Sequence, residues 1–496
     1  MLRVLGSKRQ LCDGLSRRDL LHAGGAGLLG LGLGDLWRLR AAAAAQPQGG
    51  SLGRAKACII LYLYGAPSQL ELFDPKPDAP AEIRGELGTI DTAVPGLRIC
   101  EHLPHLARVL DRATVVRSMT HPFNIHSAAY TLTGVPQVDV PMELNPADRR
   151  HWPYIGSVLD FLAEGRHAPQ PPVPRSIGMP FQFSSRAKEF ARGGPYGGFL
   201  GSKYDPVWTE FEGQATRSVA RWRGNVDNDV ADPYLGISAD SRFVLSPAAQ
   251  LPPEITLDRL NQRRSLLAQF DDQRRDLSRT PGVETHTRFQ QMAFSLMASP
   301  DMRSALDLRR EDQALRERYG MTLFGQATLA ARRLVEAGSQ LVTVFWDEYG
   351  TANSAWDTHF DHYPRLKDEL LPGLDRALST LILDLEARGL LDSTLVACIS
   401  EHGRTPLLQN VRGGGRGHWS RAYCGMFAGG GVHAGQVIGR SDRHAADVVD
   451  RPVSPKDILS TAYHLLGVPP DTMLHDRLGR PLPLVADGKL VSEMIG

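Results

Sequence analysis

The run Ala57–Tyr64 reads ACIILYLY, eight residues with almost no polar interruption. A strand apolar on both sides needs cover on both faces, as in the middle of a parallel sheet with helices above and below. Three more short apolar runs fit the same description: Thr114–Ser118, Leu341–Trp346 (LVTVFW) and Thr394–Ser400 (TLVACIS). Between the last two, Leu366, Leu370, Leu374, Leu378, Leu381 and Leu385 recur at spacings of three and four, which draws one apolar stripe on a helix. Gly389 falls where its C-cap belongs. Strand, helix, strand in that order predicts a parallel crossover unit. The expected fold class is therefore α/β, a mostly parallel central sheet flanked by helices, in one domain over 55–496. The middle reads differently. His167–Pro174 (HAPQPPVP) has loop chemistry, 200–250 is polar and rich in Gly, Asp and Ser, and 256–338 is mostly helical in pattern. We read 167–338 as a largely helical cap or insertion.

The N-terminus carries a separate message. Arg17-Arg18 directly precedes an apolar stretch, Leu20–Leu33, and the small residues Ala41–Ala45 follow. A basic start, a short apolar core and a small-residue exit make a secretory signal, and paired arginines mark the twin-arginine variety. Residues 1–45 are thus expected to direct export, giving a periplasmic or extracellular protein. The apolar stretch, at about 14 residues, is shorter than the roughly 20 a membrane span needs, and no longer one follows it. The net charge is +1 and no basic stripe stands out, so nucleic acid is not an expected partner. Cys58 and Cys398 sit inside strand-like runs and read as buried thiols. No C-x-x-C pair suggests a zinc ribbon or a haem.

In an open α/β sheet, ligands bind beyond the carboxyl ends of the strands, and the unusual polar residues of this chain follow its strand-like runs. After the first come Glu71 and Asp74, candidate oxygen ligands in a turn-rich loop. After the second come His121, His126 and Ser127, with Ser127 opening a short helix that Gly134 closes. A serine there is an N-cap; beside a base or a metal it could also be a nucleophile facing an anionic ester. After the third come Asp357, His359, Asp361 and His362; after the fourth, Glu401, His402 and Arg404, and then His418 in a glycine-rich stretch. Imidazoles and carboxylates gathered in this way suit a divalent cation. Arg404 reads either as a bidentate clamp on an oxyanion or as a salt bridge holding its loop.

These residues resemble the alkaline phosphatase and sulfatase superfamily. TLVACISEHG (Thr394–Gly403) is similar to the superfamily strand ending in Ser-Asp-His-Gly, whose acid and histidine bind one metal. Ser127-Ala128-Ala129 followed by Thr133-Gly134 resembles the nucleophile helix of alkaline phosphatases. Asp357 and His359 resemble the acid and histidine of the other metal site, and His418 its late histidine ligand. Ser127 with Glu71 or Asp74 would complete the second site. More closely, the chain is similar to the family called domain of unknown function 1501, whose members are typically exported and sulfatase-like. The shared marks are the twin-arginine start, Phe73-Asp74-Pro75-Lys76-Pro77, Trp356-Asp357-Thr358-His359, Leu390–Leu395, Gly403-Arg404-Thr405-Pro406 and His418-Trp419, which together span nearly the whole chain. The resemblance implies an alkaline phosphatase-like sandwich.

It also implies an exported metal-dependent hydrolase of phosphate or sulfate esters, with one or more divalent ions (Zn, Mn or Ca). The implied metal ligands are Asp74, Asp357, His359, Glu401, His402 and His418; Ser127, His126 and Arg404 are the catalytic candidates. The substrate would be a small anionic ester or a sulfated or phosphorylated glycan. The departures leave a second reading open, a metal- or glycan-binding protein without turnover. Glu401 stands where the superfamily has Asp, and His126 where alkaline phosphatases have Asp before the nucleophile. His359 follows Asp357 more closely than usual, so His362 is an alternative ligand. No Cys/Ser-x-Pro-x-Arg sequence occurs, so the formylglycine route of sulfatases is not expected.

Overall fold

A computed structural model of the chain describes residues 51–135, 140–146, 148–166, 168–169, 171–187, 191–223, 226–245 and 299–495. The export signal expected in 1–45 and the helical reading of 256–298 lie outside these residues.

Residues 52–495 hold a nine-stranded sheet. In chain order its strands are β1 (Ala57–Leu63), β2 (Ala113–Met119), β3 (Ser176–Met179), β4 (Val207–Glu212), β5 (Arg242–Leu245), β6 (Leu341–Trp346), β7 (Thr394–Ile399), β8 (Tyr423–Ala428) and β9 (Gln436–Ile438). Their order across the sheet is β9-β2-β8-β7-β1-β6-β3-β4-β5. β1 lies between β6 and β7, parallel to both, with Ile59 opposite Val342 and Val396. Every residue of β1, β6 and β7 is buried, as their unbroken apolar sequences require. β8 runs antiparallel to both β7 and β2, so β2 points the same way as β1, β6 and β7. The carboxyl ends of these four strands therefore open on one edge of the sheet.

The helices used below are α1 (Pro104–Ala107), α2 (Ala128–Thr133), α3 (Gln313–Tyr319), α4 (Leu323–Glu336) and α5 (Leu371–Ala387). The leucine stripe is buried along its whole length, Leu366 to Leu385. Its first part, Leu366–Leu370, is wound as a π-turn ahead of Pro372. Proline lacks an N–H and its ring collides with the carbonyl four residues back, and a wider turn relieves both. Gly389 takes φ +66° just past the helix end, a conformation that a Cβ would strain.

The middle region departs from the sequence reading. Within the stretch read as an insertion, β3, β4 and β5 extend the central sheet, and Ser218–Arg223 pairs with Val226–Ala231 as a hairpin. β4 reads VWTEFE, polar and apolar by turns, as befits a half-buried strand near a sheet edge. Cys58, Cys100, Cys398 and Cys424 are free thiols. Burial pushes Cys58 and Cys398 up to about 12, which makes them inert. Among the described residues no helix is long and apolar enough to cross a membrane.

Candidate metal centre

The loops leaving β1, β2, β6 and β7 meet at one place. Gly65, just past β1, donates its N–H to Glu401 Oε1 at 2.7 Å. Its φ is +95°, and a Cβ there would lie 2.4 Å from Asp357 N and 2.7 Å from Trp356 N, so the two loops touch backbone to backbone. The β2 loop brings in His126, whose Nδ1 lies 2.6 Å from Glu401 Oε1 and whose Nε2 lies 3.4 Å from Asp357 Oδ1. His121 in the same loop bonds the Glu401 carbonyl at 2.7 Å. The β6 loop supplies Asp357 and His359, 3.1 Å apart. Just past β7 come Glu401 and His402, and the chain then forms a two-residue pairing that sets Arg404 opposite His418. His418 Nε2 lies 3.0 Å from His359 Nε2 and 3.8 Å from Asp357 Oδ1.

The ring of His402 decides what this cluster can do. Its Nδ1 is 2.8 Å from the carbonyl of Gly403, which can only accept, so Nδ1 carries the proton. Nε2 is left as a lone pair, buried and without a hydrogen-bond partner. The His126 and His418 rings lie at 4.9 and 5.0 Å, so that lone pair is among other imidazoles. His126 differs: Glu401 takes its Nδ1 proton, and Nε2, though buried without a well-formed hydrogen bond, faces Asp357 Oδ1 at 3.4 Å. Two groups of donor atoms lie within 4.8 Å of one another, His126/His402/His418 and Asp357/His359/His418. A divalent ion with nitrogen ligands about 2.0–2.1 Å away holds them roughly 3.3 Å apart in a tetrahedron, close to the separations seen here. The residues fit a metal.

The charges agree. Burial works against ionising Asp357, but Arg404 and then the three histidines outweigh it and hold the carboxyl well below its usual range. Burial likewise opposes charge on His126, yet Asp357 and Glu401 raise it to about 9. His402 is pushed well below its ordinary value by burial and by the neighbouring His126. Asp357 is balanced by Arg404 and by imidazole protons, Glu401 by His126, and a metal cation would take the place of those protons.

The structure brings together Asp357, His359, His402 and His418 with His126. Glu401 reaches the cluster through His126, with Oε2 buried and unbonded. Arg404 is fully buried and already engaged: it donates to the carbonyls of Ala66, Gly65 and Arg416 and to Asp357 Oδ1. The loop-holding role is the one its contacts describe, and a clamp on a ligand would need those bonds broken. Ser127 caps α2, its Oγ accepting from Tyr130 N at 3.3 Å, and none of its described bonds reaches the histidines. Asp74 stands apart, paired with Lys76 at 2.8 Å and accepting from the Ser441 hydroxyl. Glu71 is bound by Arg416 at 2.5 Å, with His362 at 3.5 Å, and so forms a separate buried pair rather than joining the cluster. His362 belongs with Glu71.

One residue near the cluster escaped the sequence reading. Arg192 lies over the Tyr64 ring at 5.5 Å, and Tyr64 in turn meets the His126 ring at 5.7 Å. Its Nε is buried without a hydrogen-bond partner. Beside it, Glu143 has a buried, unbonded Oε1 and is raised by burial to about 7. Only the flanking Gly193-Gly194 hinted at a close approach, since Gly194 packs against the Ala128 Cβ of α2.

The family described as "Protein of unknown function (DUF1501)" matches residues 55–495. The chain belongs to this family. No curated protein matches this DUF1501 member at a significant level. Solved structures to which it is similar include Ps i-CgsB in complex with k-i-k-neocarrahexaose, at 13% identity and a TM-score of 0.37, covering 84% of this chain and 72% of that one. The PsFucS1 sulfatase from Pseudoalteromonas sp. is similar at 12% identity and TM-score 0.35 (84% and 68% covered). So is the phosphonate monoester hydrolase SpPMH from Silicibacter pomeroyi, at 12% and 0.30 (88% and 76% covered).

Proposed function

We propose that this protein is an exported metal-dependent hydrolase of phosphate or sulfate esters, those carried on glycans included. The observation that carries the reading is the buried lone pair of His402 Nε2, held between the His126 and His418 rings. The ion would be held by His126, His402 and His418, or by Asp357, His359 and His418. Sets rich in imidazole suit Zn or Mn better than Ca, which prefers oxygen ligands. A divalent ion bound there would supply Lewis acidity and a water of lowered pKa.

The remaining residues have their own tasks. Glu401 fixes the His126 tautomer by taking its Nδ1 proton, and Arg404 fixes the Asp357 carboxylate. His359, with a side chain 40% exposed, sits at the solvent edge beside Asp357 and His418, where it can take or give a proton. Arg192, rather than Arg404, is the arginine with a free donor near the cluster, and it would meet the oxyanion of the ester. With Ser127 occupied as a cap, the attacking group in this reading is water.

The test is metal content. In purified protein, Asp357→Ala and His402→Ala should each lose the metal that mass spectrometry finds in the wild type; unchanged metal in both would sink the assignment. The capped Ser127 favours the second reading, a binding protein on the same site. A panel of aryl phosphate, phosphodiester and sulfate esters separates the two, since a binder keeps its metal and turns over none of them. Export has its own check: Arg17→Lys with Arg18→Lys should leave the protein in the cytoplasm on cell fractionation, and normal export of that variant would refute the twin-arginine route.

A further inference from the structure

α5 packs on α3, α4 and α1. Where α1, the end of α3 and the outer side of α5 meet, they enclose a cavity of about 300 Å³ lined by His105, Arg108, Arg318, Arg376 and Thr380, with Leu383 at its rim. Two contacts fix its walls. Asp375 on α5 accepts from the first N–H groups of α1, His105 N at 3.1 Å and Leu106 N at 2.7 Å. The Thr380 hydroxyl donates to the Arg318 carbonyl at 3.1 Å, which ties the end of α3 to α5. Three exposed arginines from three elements are thereby placed around one space.

The charge there is unbalanced. Arg332, Arg333 and Arg388, also on this side of α5, are each neutralised by Glu311, Glu336 or Asp384. Arg318 and Arg376 have no side-chain hydrogen bond or ion pair among the described residues, and Arg108 has only the charge of Asp375 nearby. Asp384 also lines the cavity, but Arg332 and Tyr319 hold one of its oxygens and Arg388 the other. Asp375 has both oxygens on the α1 backbone. Like charges in excess over their counter-ions repel one another, and a bound anion reduces that cost. Guanidinium groups match tetrahedral oxyanions by paired N–H bonds. Val109, Ala387 and Leu383 give the same cavity an apolar side, and its size is that of a small-molecule site.

We propose that this cavity is a second binding site, separate from the histidine cluster, for a phosphate or sulfate group carried on a small organic skeleton such as a sugar. It is independent of the hydrolase reading. The experiment is calorimetric titration of the full-length purified protein with inorganic phosphate, inorganic sulfate, glucose 6-phosphate and glucose 6-sulfate, repeated with Asp357→Ala so that the histidine cluster makes no contribution. Arg318→Ala with Arg376→Ala should weaken binding at least tenfold, and Arg318→Lys with Arg376→Lys should restore part of it. Bound metal and ester hydrolysis should be unchanged in both, since neither arginine touches the histidines. Tighter binding of the sugar esters supports a carried anion; equal binding of the inorganic ions points to the free ion as ligand. Wild-type affinity in the alanine variant, or no binding of any probe at 10 mM, would overturn the proposal.

Discussion

Two clusters of charge press on the same loop, the one that leaves β6, and they are built differently. Behind it, Arg221 donates to Asp232 at 2.7 Å, to Glu369 at 2.6 Å and to the Ala352 carbonyl, and Asn353 bonds both carboxylates. No side-chain atom of these four residues is buried without a partner. In front of it, His126 Nε2, His402 Nε2 and Glu401 Oε2 are all buried and unbonded. A complete buried network holds shape; an incomplete one of the same size costs stability unless something fills it. The first cluster is the frame that sets Asp357, and the second is where a ligand belongs.

Breaking the frame should have the largest effect. Glu369→Ala takes one of two carboxylates from Arg221 and the foremost acid from the buried Arg365, which should lower the unfolding free energy by about 3–5 kcal/mol, read by chemical denaturation. A loss under 1 kcal/mol would mean that the network does not hold the loop. A buried acid held mainly by backbone N–H groups sharpens the point. Asp347 accepts backbone N–H bonds from Ser184 and Glu348, and burial foremost raises it from 3.8 to about 7. Its folded value is the higher one, so its stabilising effect is complete below about pH 4 and is lost as pH rises through 7. In chelator, stability should fall over that window by up to roughly 4 kcal/mol, and Asp347→Asn should flatten the slope.

The cluster in front should behave the opposite way. His402→Gln should cost at least tenfold in bound metal, while unfolding in chelator stays within about 1 kcal/mol of wild type. Conversely, saturating metal should stabilise the wild type by about 2.7 kcal/mol at a hundredfold excess over Kd, and the variant at the same concentration by no more than about 1.4 kcal/mol. The smallest expected effect is at Arg192. Arg192→Ala should raise KM for an anionic ester about tenfold, near 1.4 kcal/mol, with bound metal unchanged. A drop in metal instead would place Arg192 in the frame.

How much of this was legible in the sequence depended on where each residue's partners lie. β1, β6, β7 and the leucine stripe could be read directly, because burial on both faces or along one stripe is written in local periodicity. The histidines after β7 and β6 were legible as a set, since strand ends converge in this type of sheet. β4 and β5 were missed because strands near a sheet edge carry charged residues such as Glu210, Glu212 and Arg242. Arg242 and Glu212 pair across those strands at 2.7 Å, a contact no single segment displays. Asp74 looked like a ligand because the Ser441 hydroxyl that holds it comes from the far end of the chain. Arg404 stayed open between a clamp and a loop-holding role for the same reason: the carbonyls that engage it belong to the β1 loop and to Arg416. Arg192 belongs to no periodic pattern at all.

The bare backbone contact at Gly65 reaches beyond the geometry of one turn. With no room for even a methyl group between it and Asp357 N, the stretch after β1 cannot drift independently of the stretch before His359. Any side chain at 65 would demand a matching retreat in a segment encoded far downstream. The two must be inherited together, and a chimaera joined between them should fold its halves yet misalign the carboxylate they share.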